Sequence, residues 1–233
     1  MNINLLIEAA RKATGPIIRD HKELEHLQIS VKGTQNFALR SRLRTKEILL
    51  TNFEKYFKDY QLIDSQEAQE YDETKSYILF NPIDGLNNFS CSNTQFAISI
   101  YVFSHEENSS AAVIYFPMYD QIYSCEEDNG AFLEFLSSEH KTKLRGGKNS
   151  PIIAINKMSG RILKYCIEEK INLSNIRVYG CAAYCSAALA SGKAAAYIAD
   201  VRANILDKKI TALVAKEVKY KIQETDKVIV YSS

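Results

Sequence analysis

The hydrophobic period of this chain changes after Tyr60, and that change limits the folds open to it. Before it, Leu39, Leu43, Leu50, Phe53 and Phe57 recur at helical spacing, which predicts a helix from about Leu39 to Tyr60. An earlier helix is predicted over 3–27, with Leu5, Leu6, Ala9, Ala10 and Ala13 on one face and a kink at Gly15-Pro16. After Tyr60, Phe96, Ile98, Ile100 and Val102 alternate as in a strand with one buried face. Short strands are expected at 61–64 and 76–80, separated from the next by a turn at Asn81-Pro82-Ile83-Asp84-Gly85. A hairpin at 110–116 and 121–126 follows, and Asp128-Asn129-Gly130 turns the chain into 131–135.

Residues 141–150 form a basic, glycine-containing connector, read here as the boundary between a half at 1–140 and a half at 151–233 packed into one unit. Gly146-Gly147-Lys148 lacks the spacing of a phosphate-binding P-loop. Beyond it, strands at 152–155, 177–179, 194–199 and 228–231 alternate with helices at 160–170, 182–191 and 207–218. The expected fold class is a layered α+β or α/β sandwich.

With 46% apolar and 24% charged residues the chain has the composition of a globular protein. A formal net charge of +1 provides no global field for nucleic acid or an acidic membrane. No stretch approaches the roughly 20 apolar residues of a spanning helix. Residues 1–26 carry Glu8, Arg11, Lys12, Arg19 and Asp20 and read as an amphipathic helix rather than a signal peptide. Five scattered cysteines are expected as reduced thiols of a cytoplasmic protein. Cys181 and Cys185, four apart, could share a metal, but small buried residues are the preferred reading. His21, His26, His105 and His140 show no metal spacing and are expected at the surface, and no Gly-x-Ser-x-Gly elbow occurs.

The informative segment is Asn81-Pro82-Ile83-Asp84-Gly85-Leu86-Asn87-Asn88-Phe89. A strand end followed by Asp-Gly can present a carboxylate, a free carbonyl and two amides toward one point; oxygens suit a cation and amides suit a phosphate. Taken alone, the same residues are also those of a plain loop. The segment resembles the Asp-Pro-Ile-Asp-Gly-Thr-Thr-Asn-Phe signature of the inositol monophosphatases. Gly180-Cys181-Ala182-Ala183 through Ala190-Ser191-Gly192 resembles that family's Gly-Ser-Ala-Ala…Ala-Ala-Gly helix. Asp207 stands at the Asp of its Trp-Asp motif, and the Ala-Arg-Lys-Ala-Thr-Gly and Lys32-Gly33-Thr34 segments follow the same order. In character the chain most resembles the bacterial SuhB-like branch.

The resemblance implies a Mg2+-dependent hydrolase of inositol phosphate or a similar small phosphomonoester, in which carboxylates hold magnesium and a Glu and a Thr orient the attacking water. Carried over, it assigns Asp84, Asp207 and the Ile83 carbonyl to the metal. It gives Gly85, Leu86, Cys181 and Ala182 backbone amides to a phosphate, and Asp200 to substrate hydroxyls, unless Asp200 is merely a strand-end acid in water. It also exposes losses. The signature's first Asp is Asn81, its Thr is Leu86, and its Glu-Glu-Ser falls on Ser65-Gln66-Glu67, where a slip of two residues would bring Glu67 into the catalytic position. A further metal-site Asp falls on Arg42, which either replaces the metal's charge between Asp84 and Asp207 or points to solvent. Two readings stay open: a phosphomonoesterase of weak or no activity, and a pseudo-phosphatase that binds a protein partner, as SuhB-like relatives associate with transcription machinery. The resemblance further implies a homodimer and a small phosphorylated ligand or free phosphate.

Overall fold

A computed structural model describes residues 2–26, 31–67, 70–138, 140–147 and 149–233. Helix α1 (Ile3–His26) buries Leu6, Ala10, Ala13, Ile17 and Leu24, spaced by three, four or seven residues along a single stripe. Its helical run passes through Gly15 and Pro16 without the interruption that Pro predicts in isolation. Helix α2 (Val31–Tyr56) begins well before Leu39, because its polar first turns carry no apolar period to announce them. Its buried stripe also differs from the predicted one. Ala38, Ser41, Arg42, Thr45, Leu49 and Phe53 face inward, whereas Leu39 and Leu43 are exposed.

Seven strands follow one another across the first sheet: β1 (Gln61–Asp64), β2 (Tyr77–Asp84), β3 (Ala97–Ser104), β4 (Ser109–Phe116), β5 (Gln121–Glu126), β6 (Gly130–Phe135) and β7 (Lys141–Leu144). Only the β1–β2 pair is parallel. Strand β7 falls in the segment expected to be a connector; its lysines leave no apolar alternation, yet it pairs with β6 in regular antiparallel register. Likewise β2 continues through Asn81-Pro82-Ile83-Asp84, where a turn was expected, and all eight of its residues are buried. The turn-forming residues instead produce a bulge: Asn81 opposes Ser99 and Asp84 opposes Ala97, so the register shifts between them.

The second sheet has the order β11 (Lys221–Glu224), β12 (Val228–Ser232), β10 (Ala196–Asp200), β8 (Ile153–Ile155), β9 (Ile176–Val178). Helices α5 (Ala182–Ala190) and α6 (Ile205–Glu217) share one apolar cluster with Leu79, Tyr101 and Ile114 of the first sheet and Tyr197 and Tyr231 of the second. On the far face of the first sheet, α1 and α2 pack over Phe80, Ile98 and Ile100. On the far side of the second, α4 (Gly160–Glu168) places Ile162 and Cys166 against Ile198 and Val230. The result is a layered α+β stack of helix, sheet, helix, sheet and helix, as the alternation of periods implies. Among the described residues no helix is long and apolar enough to cross a membrane.

Candidate active site

The bulge at the end of β2 leads into Gly85, whose φ of +81° is open to glycine but strained for any other residue. A Cβ there would lie 2.8 Å from the Gln95 carbonyl oxygen and 3.1 Å from Cys181 Cβ. The chain can therefore pass close beneath α5 and start the short helix α3 (Leu86–Ser90) at once. Asn88 fixes that helix: its Nδ2 donates to the Gln95 and Tyr179 carbonyls, both at 2.8 Å. Asn204 caps α6 by accepting from the Leu206 amide at 2.9 Å, and its Nδ2 donates to the Ser65 carbonyl beyond β1. These bonds bring the ends of β1 and β2 and the first turns of α3 and α6 around a cavity of about 760 Å³. Arg42, Asn81, Ile83, Asp84, Leu86 and Asp207 contribute to its lining.

Asp84 is buried, and its Oδ2 accepts the Ala183 amide at 2.7 Å from the first turn of α5. Burial pushes its carboxyl above the ordinary range, and the Ala183, Ala182 and Gly85 amides and the Cys181 thiol counter that only in part. Asp207, in the first turn of α6, is pushed well above the range by burial and then by the charge of Asp84. Neither carboxylate has an ion-pair partner among the described residues. Nearby Asn81 is 4% exposed, and its Oδ1 has no hydrogen-bond donor among the described residues.

This donor set fits a hard divalent cation. It offers two mutually repelling carboxylates and an amide oxygen without a donor, with Ile83 beside them in the lining, and magnesium needs few protein carboxylates when water or phosphate completes its octahedron. Among the described residues no group of three or more acidic, His or Cys side chains converges to hold a metal.

Arg42 does not point to solvent, and among the described residues it pairs with Asp64 rather than with Asp84 or Asp207. Its Nη2 lies 2.5 and 2.6 Å from the two oxygens of Asp64, a buried carboxylate at the end of β1. Lys46 stands 3.6 Å from the same group. Sequence reading missed Asp64; its one signal was an acid closing a strand parallel to the one that carries Asp84. Glu67 turns outward, where Lys46 Nζ holds its Oε1 at 2.5 Å, and Gln66 rather than Glu67 lines the cavity.

Gly85 and Leu86 line the cavity together with Gly180. Cys181 and Ala182 are buried behind it, with the first turn of α5 turned onto Asp84. Burial also pushes the thiols of Cys181 and Cys185 up, so both stay protonated inside the apolar layer. Asp200 lines an adjoining cavity of about 320 Å³ that shares Asn156, Lys157, Asn204 and Asp207 with the first. Although partial burial acts the other way, the Ser159 hydroxyl at 2.6 Å, the Arg202 amide at 2.9 Å and Arg161 at 3.5 Å hold its carboxyl below the usual range. His21, expected at the surface, is completely buried between the rings of Phe89 and Phe96. An apolar stripe on α1 carries it inward, a context no single histidine reveals.

The sequence profile of the inositol monophosphatase family matches residues 2–214. An inositol-1-monophosphatase of Mesorhizobium japonicum is 30% identical over 132 residues, 56% of this chain and 49% of that protein. The Nus factor SuhB of Escherichia coli K12 is 26% identical over 133 residues, again 56% and 49%. The chain thus spans about half the length of the curated relatives it matches. Among solved structures, the extragenic suppressor protein SuhB of Bartonella henselae superposes with a TM-score of 0.79 at 20% identity, over 99% of this chain and 94% of that one. Inositol monophosphatase II of Staphylococcus aureus gives 0.75 at 20% identity, over 99% and 88%. These structures share the layered fold, and with the profile spanning most of its length, the chain belongs to the inositol monophosphatase family.

Proposed function

We propose that this protein binds a small phosphorylated molecule or free phosphate together with a single Mg2+, and that its phosphomonoesterase activity is weak or absent. The observation that carries this reading is the composition of the cavity wall. Where the resemblance expects an acid, α2 supplies Arg42, clamped onto Asp64. A bound Mg2+ would supply charge neutralisation and polarisation of the phosphate, held by Asp84, Asp207, the Asn81 amide oxygen and the Ile83 carbonyl. The protein would position the phosphate through backbone amides at Gly85 and Leu86.

Hydrolysis needs an oriented water and a base beside it. Leu86 can neither hold a water nor accept a proton, Asn81 is not basic, and Glu67 is committed to Lys46 outside the cavity. Asp84 and Asp207 are the acidic residues of the lining, and the cation engages both.

A second reading is favoured by the Escherichia coli relative, which bears the name Nus factor. In it the protein is a pseudo-phosphatase that acts through a partner on the transcription machinery. A homodimer in the cytoplasm is compatible with both readings. Phosphate release measured with excess magnesium, alongside melting temperature with and without magnesium and phosphate, tests the proposal. The expected result is release at or near background and a rise in melting temperature with both ligands present. Brisk metal-dependent turnover overturns the weak-activity reading; an unmoved melting curve overturns the binding reading.

A further inference from the structure

Arg42 grips Asp64 with a single nitrogen. Its Nη2 donates to both carboxylate oxygens, at 2.5 and 2.6 Å, and both protons of that nitrogen are thereby used. A guanidinium meets a carboxylate most completely through two nitrogens side by side, so this geometry leaves donors over. The N–H groups of Nη1 and Nε meet no acceptor among the described residues. The side chain is 10% exposed and lines the 760 Å³ cavity, so its accessible part opens there, in company with Asn81 and Asp84. Charged donors left unmatched in a largely buried place are costly, and an acceptor that enters the cavity relieves that cost.

The guanidinium is also held still. Asp64 accepts the Gln66 amide at 3.1 Å and lies 3.6 Å from Lys46 Nζ, so the carboxylate that grips Arg42 is itself fixed from other directions. Lys157, the other cation of the lining, is exposed and ends a flexible stem. Of the two, Arg42 is the preorganised one. We infer that Arg42 is a phosphate anchor: its free N–H groups donate to a phosphate oxygen while Nη2 stays on Asp64. This rests on the phosphate-binding reading above and adds a charged side-chain donor to the Gly85 and Leu86 amides. The residue that stands where the resemblance expects an acid therefore serves the ligand's anion directly, rather than only filling the wall.

Isothermal titration of the full chain with inorganic phosphate in excess magnesium, and with magnesium alone, tests the inference on the parent and on Arg42→Gln combined with Asp64→Asn. The double substitution removes one charge of each sign, so net charge is unchanged, and it leaves two amides able to bond each other. The expected result is phosphate binding about tenfold weaker, the loss of one charge-assisted hydrogen bond, with magnesium affinity within about twofold of the parent. Phosphate affinity within about twofold of the parent overturns the inference. An equal loss of magnesium affinity overturns it too, because Arg42 would then act only by supporting the wall. A nuclear magnetic resonance titration of the parent does not depend on the variant folding: phosphate should shift the Arg42 guanidinium signals and saturate them together with the heat. Signals that stay in place while the heat shows binding overturn the inference. If phosphate gives no heat with the parent, the phosphate-binding reading has failed and takes the inference with it.

Discussion

Two walls of the same cavity bury carboxylates in opposite ways. On the α2 side, Asp64 meets Lys46 and the cavity-lining Arg42, while away from the cavity lining the buried Asp20 meets Arg44 at 2.7 Å and the Ser41 hydroxyl at 2.7 Å. On the side built by β2, α5 and α6, Asp84 meets the Ala183 amide, and Asp207 meets the charge of Asp84. A charge taken out of water and paired at once is part of the architecture. One taken out of water and left facing a like charge in a cavity is held for something that arrives from outside.

The largest expected effect breaks the paired wall. Arg42→Ala strands Asp64, with Lys46 as a distant substitute, and should cost about 3 kcal/mol in urea denaturation. Adding Asp64→Asn should recover part of that loss, because the uncompensated charge disappears. A cost below about 1 kcal/mol would make the pair ornamental and dissolve the contrast.

The opposite wall should respond with the opposite sign. Asp207→Asn removes the repulsion from Asp84 and should stabilise the metal-free protein at neutral pH by about 1 kcal/mol, while abolishing the rise in melting temperature that magnesium gives the parent. The parent's pH dependence sharpens the point. Both carboxyls titrate above their unfolded values, so the native state holds protons that the unfolded chain has released. Stability of the metal-free protein should therefore fall as pH rises from about 4, the unfolded carboxylate range, through the raised native values. Melting scans at pH 5 and pH 8 check the sign, and magnesium should flatten the difference.

The smallest effect is expected at Asp200, whose carboxyl is held low and which stands partly in water. Its contribution is present above the unfolded value and is lost as pH falls through the folded one. Asp200→Asn should cost about 0.5 kcal/mol or less at neutral pH in the same denaturation assay. A loss comparable to that of Arg42→Ala would place Asp200 among the structural acids.

The legibility of these regions in the sequence follows their burial. Strands with one apolar face, such as β3 with Ile98, Ile100 and Val102, announce themselves by alternation. Strands β7 and β11 do not, because exposed edge strands made of Lys-Thr-Lys-Leu and Lys-Ile-Gln-Glu have no buried face to mark. Asn81-Pro82-Ile83-Asp84 carries turn chemistry that tertiary burial converted into a bulged strand end. On α2 the error lay in taking apolar residues as the inward face. The inward positions hold Ser41, Arg42 and Thr45, two of which hydrogen-bond the buried acids Asp20 and Asp64. Pairing between residues about twenty apart in sequence leaves no periodic trace. The carboxylates Asp84 and Asp207 were legible through motif resemblance, and Asp64 was not, because it lies one residue before Ser65-Gln66-Glu67, onto which the Glu-Glu-Ser motif falls.

Asn88 commits its side-chain amide nitrogen to two carbonyls, the farther of which lies 91 residues along the chain. The Ala183 amide that steadies Asp84 is 99 residues away. A ribosome must therefore deliver the chain past Ala183 before these contacts can form, and until then the Asn81–Phe89 segment waits without its anchors. Cavity formation is thereby a late, all-or-nothing event in the life of each molecule, and any fragment ending before Tyr179 lacks the partners that shape it.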